Sequence, residues 1–157
     1  KTPTIWKQVA TEEGLINSNY GFLIFSEENF QQYNHVLNAL VSDPNTRRAC
    51  MIYTRPKIQH EYNKDGMSDF ICTNAVNYFI RDNKLHCVVQ MRSNDIWAGY
   101  RNDYAWQRWV LEKLHEDVSR YISRLELGDI LWNAASLHMY ERNFGLIRKY
   151  NKTGLFK

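Results

Sequence analysis

The chain has 157 residues, 44% hydrophobic and 24% charged, which suits a single domain with a substantial core and excludes a disordered chain. A net charge of +3 is too small for a protein that binds duplex nucleic acid, although a few arginines can hold a phosphate-bearing small molecule. No apolar run approaches a membrane span and no signal-peptide pattern is present, so we expect no membrane partner. Cys50, Cys72 and Cys87 lack metal-ligand spacing, which indicates free thiols in a reducing, cytoplasmic compartment without a bound metal.

The first third of the chain predicts one helix and one strand. Ser26 precedes two glutamates as an N-cap does, and apolar residues then recur at helical spacing from Phe30 to Leu40. The turn-forming residues 42–45 should end that helix. Residues 49–53 form a short apolar run typical of a buried strand, and the polar residues 55–69 predict a loop.

A β-hairpin is predicted in the middle of the chain. Residues 74–80 and 85–92 have strand character, and the turn formers of residues 82–84 separate them. Leu85, Cys87, Val89 and Met91 alternate with more polar positions, so the second strand should bury one face.

Two helices and a strand are predicted in the last third. Residues 104–125 show the strongest helical pattern, and Gly128 and Asp129 should interrupt it before a short strand at residues 130–133. The apolar stripe expected on the long helix consists of Ala105, Trp109, Leu114, Val118, Tyr121 and Leu125. Apolar spacing predicts a final helix over residues 136–149, and the whole pattern indicates an α+β fold with a mixed or antiparallel sheet.

The densest run of polar chemistry follows the second strand of the hairpin. Residues 92–95 present a guanidinium, a hydroxyl, an amide and a carboxylate in turn, and residues 99–103 end on a second carboxylate, Asp103. Alone, this run fits a solvated loop with Asp103 as a helix N-cap, and Cys72 fits a small core residue. Without a functional role, Arg47 and Arg48 would be a solvated pair after a helix, and His138 would be an ordinary core or surface histidine.

Five motifs in chain order resemble those of the thymidylate synthase family, and within it the deoxycytidylate hydroxymethylase branch. They are Thr4-Ile5-Trp6 with Asn19-Tyr20-Gly21, residues 43–48 with the pair Arg47-Arg48, the cysteine Cys72, residues 91–95, and Leu137-His138-Met139-Tyr140. Ordered motifs at family-like spacing over almost the whole chain are far more specific than any one of them.

The resemblance assigns roles to individual residues of a single domain over residues 1–157. It implies catalytic roles for Cys72, Asp103 and Tyr20. The residues it implies for substrate binding are Arg47, Arg48, Arg92, Ser93, Asn94, Asn102, His138 and Tyr140, and those for folate binding are Trp6, Asp95 and Gly99. It also implies a homodimer in which Arg47 and Arg48 of one subunit reach the nucleotide phosphate of the other.

Two departures from the synthase pattern decide the branch. The synthases carry Pro-Cys-His at the nucleophile, whereas this chain has Ile71-Cys72-Thr73. The asparagine with which the synthases recognise uracil aligns with Asp103. If that alignment is off by one residue, Asn102 would recognise the base instead. Cytosine presents an amino donor at N4 and an acceptor at N3, so a carboxylate can accept from N4 and favour protonated N3.

The resemblance therefore implies transfer of a one-carbon unit from 5,10-methylenetetrahydrofolate to C5 of dCMP, with water addition, giving 5-hydroxymethyl-dCMP. The Cys72 thiolate would add to C6 of the base. The alternatives are a thymidylate synthase, another pyrimidine 5-alkylating enzyme, or a non-catalytic nucleotide-binding homologue. The last gains support because the family's N-terminal portion, with its catalytic glutamate, has no counterpart in this sequence.

The sugar-binding pair carries a structural expectation that conflicts with the helix over residues 136–149. His138 and Tyr140 lie two positions apart and cannot share one face of a regular helix. If both reach the deoxyribose 3′-hydroxyl, residues 136–140 must be extended.

Overall fold

A four-stranded mixed sheet forms the centre of the computed structural model, which describes residues 4–154. The strands are Cys50–Ile52 (β1), Thr73–Arg81 (β2), Lys84–Met91 (β3), Asn94–Asp95 (β4), Glu126–Ala134 (β5) and Leu137–His138 (β6). The sheet order is β1-β2-β3-β5, with antiparallel pairs up to β3 and a parallel pair between β3 and β5. Strands β4 and β6 form a separate parallel pair. The predicted α+β class with a mixed sheet is confirmed.

The helices are Thr4–Val9 (α1), Tyr20–Phe25 (α2), Gln32–Ser42 (α3), Ile58–Glu61 (α4), Gly99–Ser119 (α5) and Phe144–Thr153 (α6), with 3₁₀ turns at Lys64–Gly66 and Glu141–Asn143. The predicted loop over residues 55–69 thus contains a short helix. Helices α2, α3 and α5 pack on one face of the sheet. Within residues 4–154, no helix combines the length and apolar character that crossing a bilayer requires.

The hairpin of β2 and β3 follows the prediction closely. Its two-residue turn, Asp82 and Asn83, has φ values of 50° and 59°, the left-handed conformation that Asp and Asn tolerate and that type I′ turns require. The predicted alternation is also confirmed, because Leu85, Cys87 and Val89 are fully buried on the helix-covered face.

Strand β5 is longer than the predicted residues 130–133, and Gly128 lies inside it rather than ending an element. A Cβ at Gly128 would lie 2.7 Å from the Leu85 carbonyl oxygen and from His86 Nδ1. Glycine therefore permits a close approach to β3 where the register between the two strands is irregular.

Helix α3 begins at Gln32, so the prediction of a helix starting after Ser26 was wrong. The preceding Phe30 and Gln31 have φ values of 62° and 45°, which a continuous right-handed helix cannot contain. Ser26 still caps, but it caps a turn: its Oγ accepts from the backbone N of Asn29 at 3.3 Å.

Helix α5 begins five residues before the predicted Tyr104 and ends at Ser119. Asp103 therefore lies inside the helix and is not its N-cap. The start signal that the sequence reading missed is Asp95, whose carboxylate accepts from the backbone of Trp97 at 3.1 Å and Ala98 at 3.2 Å. The predicted stripe was partly wrong, because Trp109 and Tyr121 are 47% and 69% exposed.

The last predicted helix was also wrong at its start. Residues 136–140 are extended or irregular and β6 lies among them; a 3₁₀ turn follows at Glu141–Asn143, and the α-helix begins at Phe144. The competing expectation, an extended segment carrying His138 and Tyr140, is confirmed.

Candidate active site

The candidate nucleophile, Cys72, lies immediately before β2 and is partly buried. Its Sγ lies 3.7 Å from Arg92 Nη2 and 3.7 Å from the Phe70 carbonyl oxygen. Burial raises the pKa of the Cys72 thiol, the Arg92 guanidinium opposes the rise, and the Asp103 charge adds to it. Arg92 is thus placed to favour the thiolate that nucleophilic attack requires.

The Arg92 side chain is fixed against the segment that leads to Cys72. Its Nη2 donates to the Phe70 carbonyl at 2.6 Å and its Nε donates to the Ile71 carbonyl at 2.9 Å. The guanidinium also lies over the Phe70 ring, with Cζ 4.4 Å from the centroid. Nη1 makes none of these contacts, so two N–H groups of the fork are left for a ligand.

Asp103, from the second turn of α5, forms a hydrogen-bonded pair with a buried amide. Asn94 Nδ2 donates to Asp103 Oδ2 at 2.8 Å, and Asn94 Oδ1 accepts from Trp132 Nε1 at 3.2 Å. Burial raises the pKa of Asp103 from 3.8 to about 6, and the Asn94 hydrogen bond opposes that rise. The carboxyl group can therefore hold or release a proton close to neutral pH.

Tyr20, the first residue of α2, lies near both Cys72 and Asp103. Its hydroxyl accepts from Thr73 Oγ1 at 3.0 Å, and its ring packs edge-on against Tyr53 with centroids 5.0 Å apart. Burial raises the pKa of Tyr20 well above its ordinary value, and the charges of Asp103 and Cys72 raise it further. Tyr20 therefore keeps its proton at neutral pH.

Two positions that support this cluster were missed by the sequence reading. Thr73 is fully buried and holds the Tyr20 hydroxyl, and Asp69 accepts from Ser18 N and Ser18 Oγ, both at 2.6 Å. The Asp69 contacts join the segment before Tyr20 to the segment before Cys72. A threonine at the start of a strand and an aspartate in a polar loop carry no sequence signal for these roles.

The β4–β6 pair brings two of the motifs together. Asn94 is opposite Leu137 and Asp95 is opposite His138 in a parallel register. The rings of His138 and Tyr140 meet edge-on with centroids 5.2 Å apart. The structure thus places the implied sugar-binding residues beside the implied base- and folate-binding residues.

The remaining predicted site residues differ in how exposed they are. Arg47 and Arg48 are exposed in the turn region after α3, Ser93 is partly buried after β3, and Trp6 is partly buried in α1. Asn102 is exposed and donates back to the Ala98 carbonyl at 3.4 Å, so Asp103 is the residue of this pair that contacts Asn94. Gly99 packs beside that contact, since a Cβ there would lie 3.6 Å from Asp103 Oδ2.

The family model for thymidylate synthase matches residues 1–152. Deoxycytidylate 5-hydroxymethyltransferases of Enterobacteria phages T4 and T6 are each 54% identical over 98% of this chain, which spans 63% of their length. A thymidylate synthase of Bacillus subtilis subsp. natto is 30% identical over 88% of the chain, covering 48% of that enzyme. With a family match over almost its whole length, the chain belongs to the thymidylate synthase family.

Proposed function

We propose that this chain forms the nucleotide-binding part of a dCMP hydroxymethylase. The observation that supports this most is Asp103, a carboxylate where the resemblance places the uracil-reading asparagine of the synthases. It is held by Asn94 in the same cluster as Cys72 and Tyr20. The named activity of the 54%-identical phage relatives points in the same direction.

The carboxylate of Asp103 suits cytosine better than uracil. Asn94 occupies Oδ2, which leaves Oδ1 to accept from the N4 amino group of cytosine. A carboxyl group with a pKa of about 6 can also share a proton with N3 of the base. Uracil would present its O4 acceptor to the same oxygen, and two facing acceptors repel.

Covalent catalysis begins at Cys72. Its thiolate attacks C6 of the base and a C6–S bond forms. The electron pair of the C5–C6 double bond shifts to C4–C5, and the C4–N3 pair shifts to N3, where the proton shared with Asp103 neutralises it. Arg92 lies against the sulfur and opposes the rise of the thiol pKa. C5 thereby becomes nucleophilic.

Methylenetetrahydrofolate, when bound, supplies the one-carbon unit at the oxidation level of formaldehyde. Asp95 offers a carboxylate for the N–H groups of a flat heterocycle. The next residue, Ile96, and Leu137, which is opposite Asn94 in the β4–β6 pair, are 43% and 56% exposed, which suits such a ring. The protonated Tyr20 hydroxyl can orient a water near the base.

C5 would form a bond to the one-carbon unit, and tetrahydrofolate would leave with the electron pair of the broken carbon–nitrogen bond. Loss of the C5 proton would then give an exocyclic methylene, to which water adds as the C6–S bond to Cys72 breaks. The sum is dCMP, methylenetetrahydrofolate and water giving 5-hydroxymethyl-dCMP and tetrahydrofolate.

The phosphate side of the site is proposed to require two subunits. Arg92 and Ser93 of one chain, with Arg47 and Arg48 of its partner, would hold the 5′-phosphate, because arginine forks match phosphate oxygens. The sheet face away from the helices exposes apolar side chains, with Ile52 and Leu131 at 56% and 49%. A second copy packed on that face would cover them.

The proposal is tested by tritium release from 5-tritiated dCMP with methylenetetrahydrofolate, with dUMP as the comparison. Release from dCMP with a hydroxymethylated product is expected. Release mainly from dUMP with a methylated product would instead indicate a synthase. Binding of dCMP without any release would indicate a non-catalytic homologue.

A further inference from the structure

We propose that Trp132 is a positioning residue for base selection: its indole N–H fixes the orientation of the Asn94 amide, and the amide fixes Asp103 as an acceptor. The inference rests on the proposed function, because it concerns how that site recognises cytosine. It adds a residue from β5 to which the sequence reading assigned no role.

The direction of each hydrogen bond carries the inference. An indole nitrogen can only donate, so Trp132 Nε1 at 3.2 Å selects the carbonyl oxygen of Asn94. The amide nitrogen must then point the other way, where it donates to Asp103 Oδ2 at 2.8 Å. Without the indole N–H, either orientation of the amide would fill the same space.

The surroundings hold both residues in place. Asn94 is 2% exposed, and its backbone N donates to the Ser136 carbonyl at 2.8 Å. The Trp132 ring meets Tyr100 edge-on at 5.3 Å and lies 6.0 Å from Tyr104, both on α5. With both residues held in this way, the only freedom left to the Asn94 amide is the exchange of its oxygen and nitrogen positions, and the indole N–H sets which of the two is adopted.

That choice has a chemical consequence at Asp103. A flipped amide would aim its oxygen at the carboxylate, and two acceptors at hydrogen-bond distance are stable only if Asp103 takes up a proton. The O–H of the protonated carboxyl would donate to the Asn94 oxygen, and the neutral group would no longer attract a protonated cytosine. The other titratable groups facing Asp103 among the described residues are Tyr20 from α2 and Cys72 before β2, and both are unchanged by a substitution at Trp132.

The first experiment compares Trp132→Phe, which removes the N–H and keeps an aromatic ring, with Trp109→Phe as a matched control at a half-exposed position on α5. The readouts are kcat/KM for dCMP and dUMP from pH 5 to 8, and the titration of the Asp103 carboxyl carbon by NMR in the ligand-free protein. In Trp132→Phe, the dCMP-to-dUMP ratio should fall about tenfold, the effect of about one misplaced hydrogen bond. The Asp103 titration should move up by roughly half to one pH unit, as the loss of one stabilising hydrogen bond predicts.

Placing benzothienylalanine at position 132 separates hydrogen bonding from packing, since its sulfur replaces the N–H within the same bicyclic shape. This variant should reproduce both shifts, and it provides the test if Trp132→Phe does not fold. An unchanged Asp103 titration in either folded variant would overturn the inference. The NMR readout needs no substrate, so it remains decisive if the unmodified protein proves to prefer dUMP and the proposed function fails.

Discussion

The two sides of the candidate site are built to different degrees. On the base side, Cys72 and Asp103 are held by hydrogen bonds or close contacts to neighbouring elements, and so is Arg92, which we propose serves both sides. On the phosphate side, Arg47 and Arg48 are exposed beyond the end of α3. Under the proposed function, this contrast means that the chemistry at the base would depend on groups preorganised within one chain, while phosphate capture would also need Arg47 and Arg48 of a second chain.

The fold explains this difference. The base side lies where the start of β2 and the end of β3 meet the first turn of α2 and the second turn of α5, so each side chain is carried by a helix or lies next to a strand end. The arginine pair lies on an irregular connection between α3 and β1, where long side chains keep their rotamer freedom. Substitutions on the base side should therefore change rate and selectivity, and those on the phosphate side should change affinity.

The largest effect is expected for Cys72→Ser. A serine hydroxyl near Arg92 is a far weaker nucleophile than a thiolate, so tritium release from dCMP should fall by at least about 10³-fold. Nucleotide affinity, measured by calorimetry, should stay within about threefold because the substitution is nearly isosteric. Residual activity within tenfold of the unmodified protein would remove Cys72 from its proposed role.

Asp103→Asn should produce the next largest effect, on selectivity. The amide can donate to O4 of uracil and lacks the charge that favours protonated cytosine, so the dCMP-to-dUMP ratio of kcat/KM should fall by roughly ten- to a hundred-fold. A simple helix-capping role would predict no change, and the position of Asp103 inside α5 already argues against that role. An unchanged ratio would leave the base preference without an assigned reader.

Arg47→Ala tests the phosphate side. Loss of one charge-assisted contact should weaken dCMP binding about tenfold and leave deoxycytidine binding unchanged. Arg120→Ala, which removes an exposed arginine near the far end of α5, is the matched control for net charge. Equal losses for nucleotide and nucleoside would show that Arg47 acts through folding. Arg92→Ala is a less specific test, because Arg92 also holds the segment before Cys72.

Sequence patterns predicted the fold best where local rules coincide with tertiary packing. The β2–β3 hairpin was predicted because its turn residues and the alternation from Leu85 to Met91 agree with each other. The start of α3 was missed because two adjacent left-handed residues, Phe30 and Gln31, have no signature in an apolar periodicity. The start of α5 was missed because its signal, Asp95, lies four residues before Gly99 and acts through a turn.

In the candidate site, too, some features could be predicted from local sequence and others depend on tertiary structure. The motifs marked Cys72 and Asp103 as chemically distinctive, and the structure places them in one cluster. The contacts of Asn94 with Asp103 and Trp132 depend on the pairing of β4 with β6 and of β3 with β5, which sequence spacing alone does not determine.

The smallest expected effect concerns the energetic cost of preorganisation. The folded state raises the pKa of Asp103 from 3.8 to about 6, so between these pH values the folded chain binds more protons than the unfolded chain. The free energy of unfolding should therefore fall as pH rises through that window, and the cost should be fully present above it. Asp103→Asn removes the charge and should stabilise the protein at pH 7 by about 1 kcal/mol, after allowance for partial exposure of the carboxylate. At pH 4 the two proteins should differ little. Urea unfolding at both pH values measures the difference, and Asp129→Asn, the same change at a side chain that is 86% exposed, is the control. A variant that is no more stable than the parent at pH 7 would show that the base side of the site holds its carboxylate without a cost in folding.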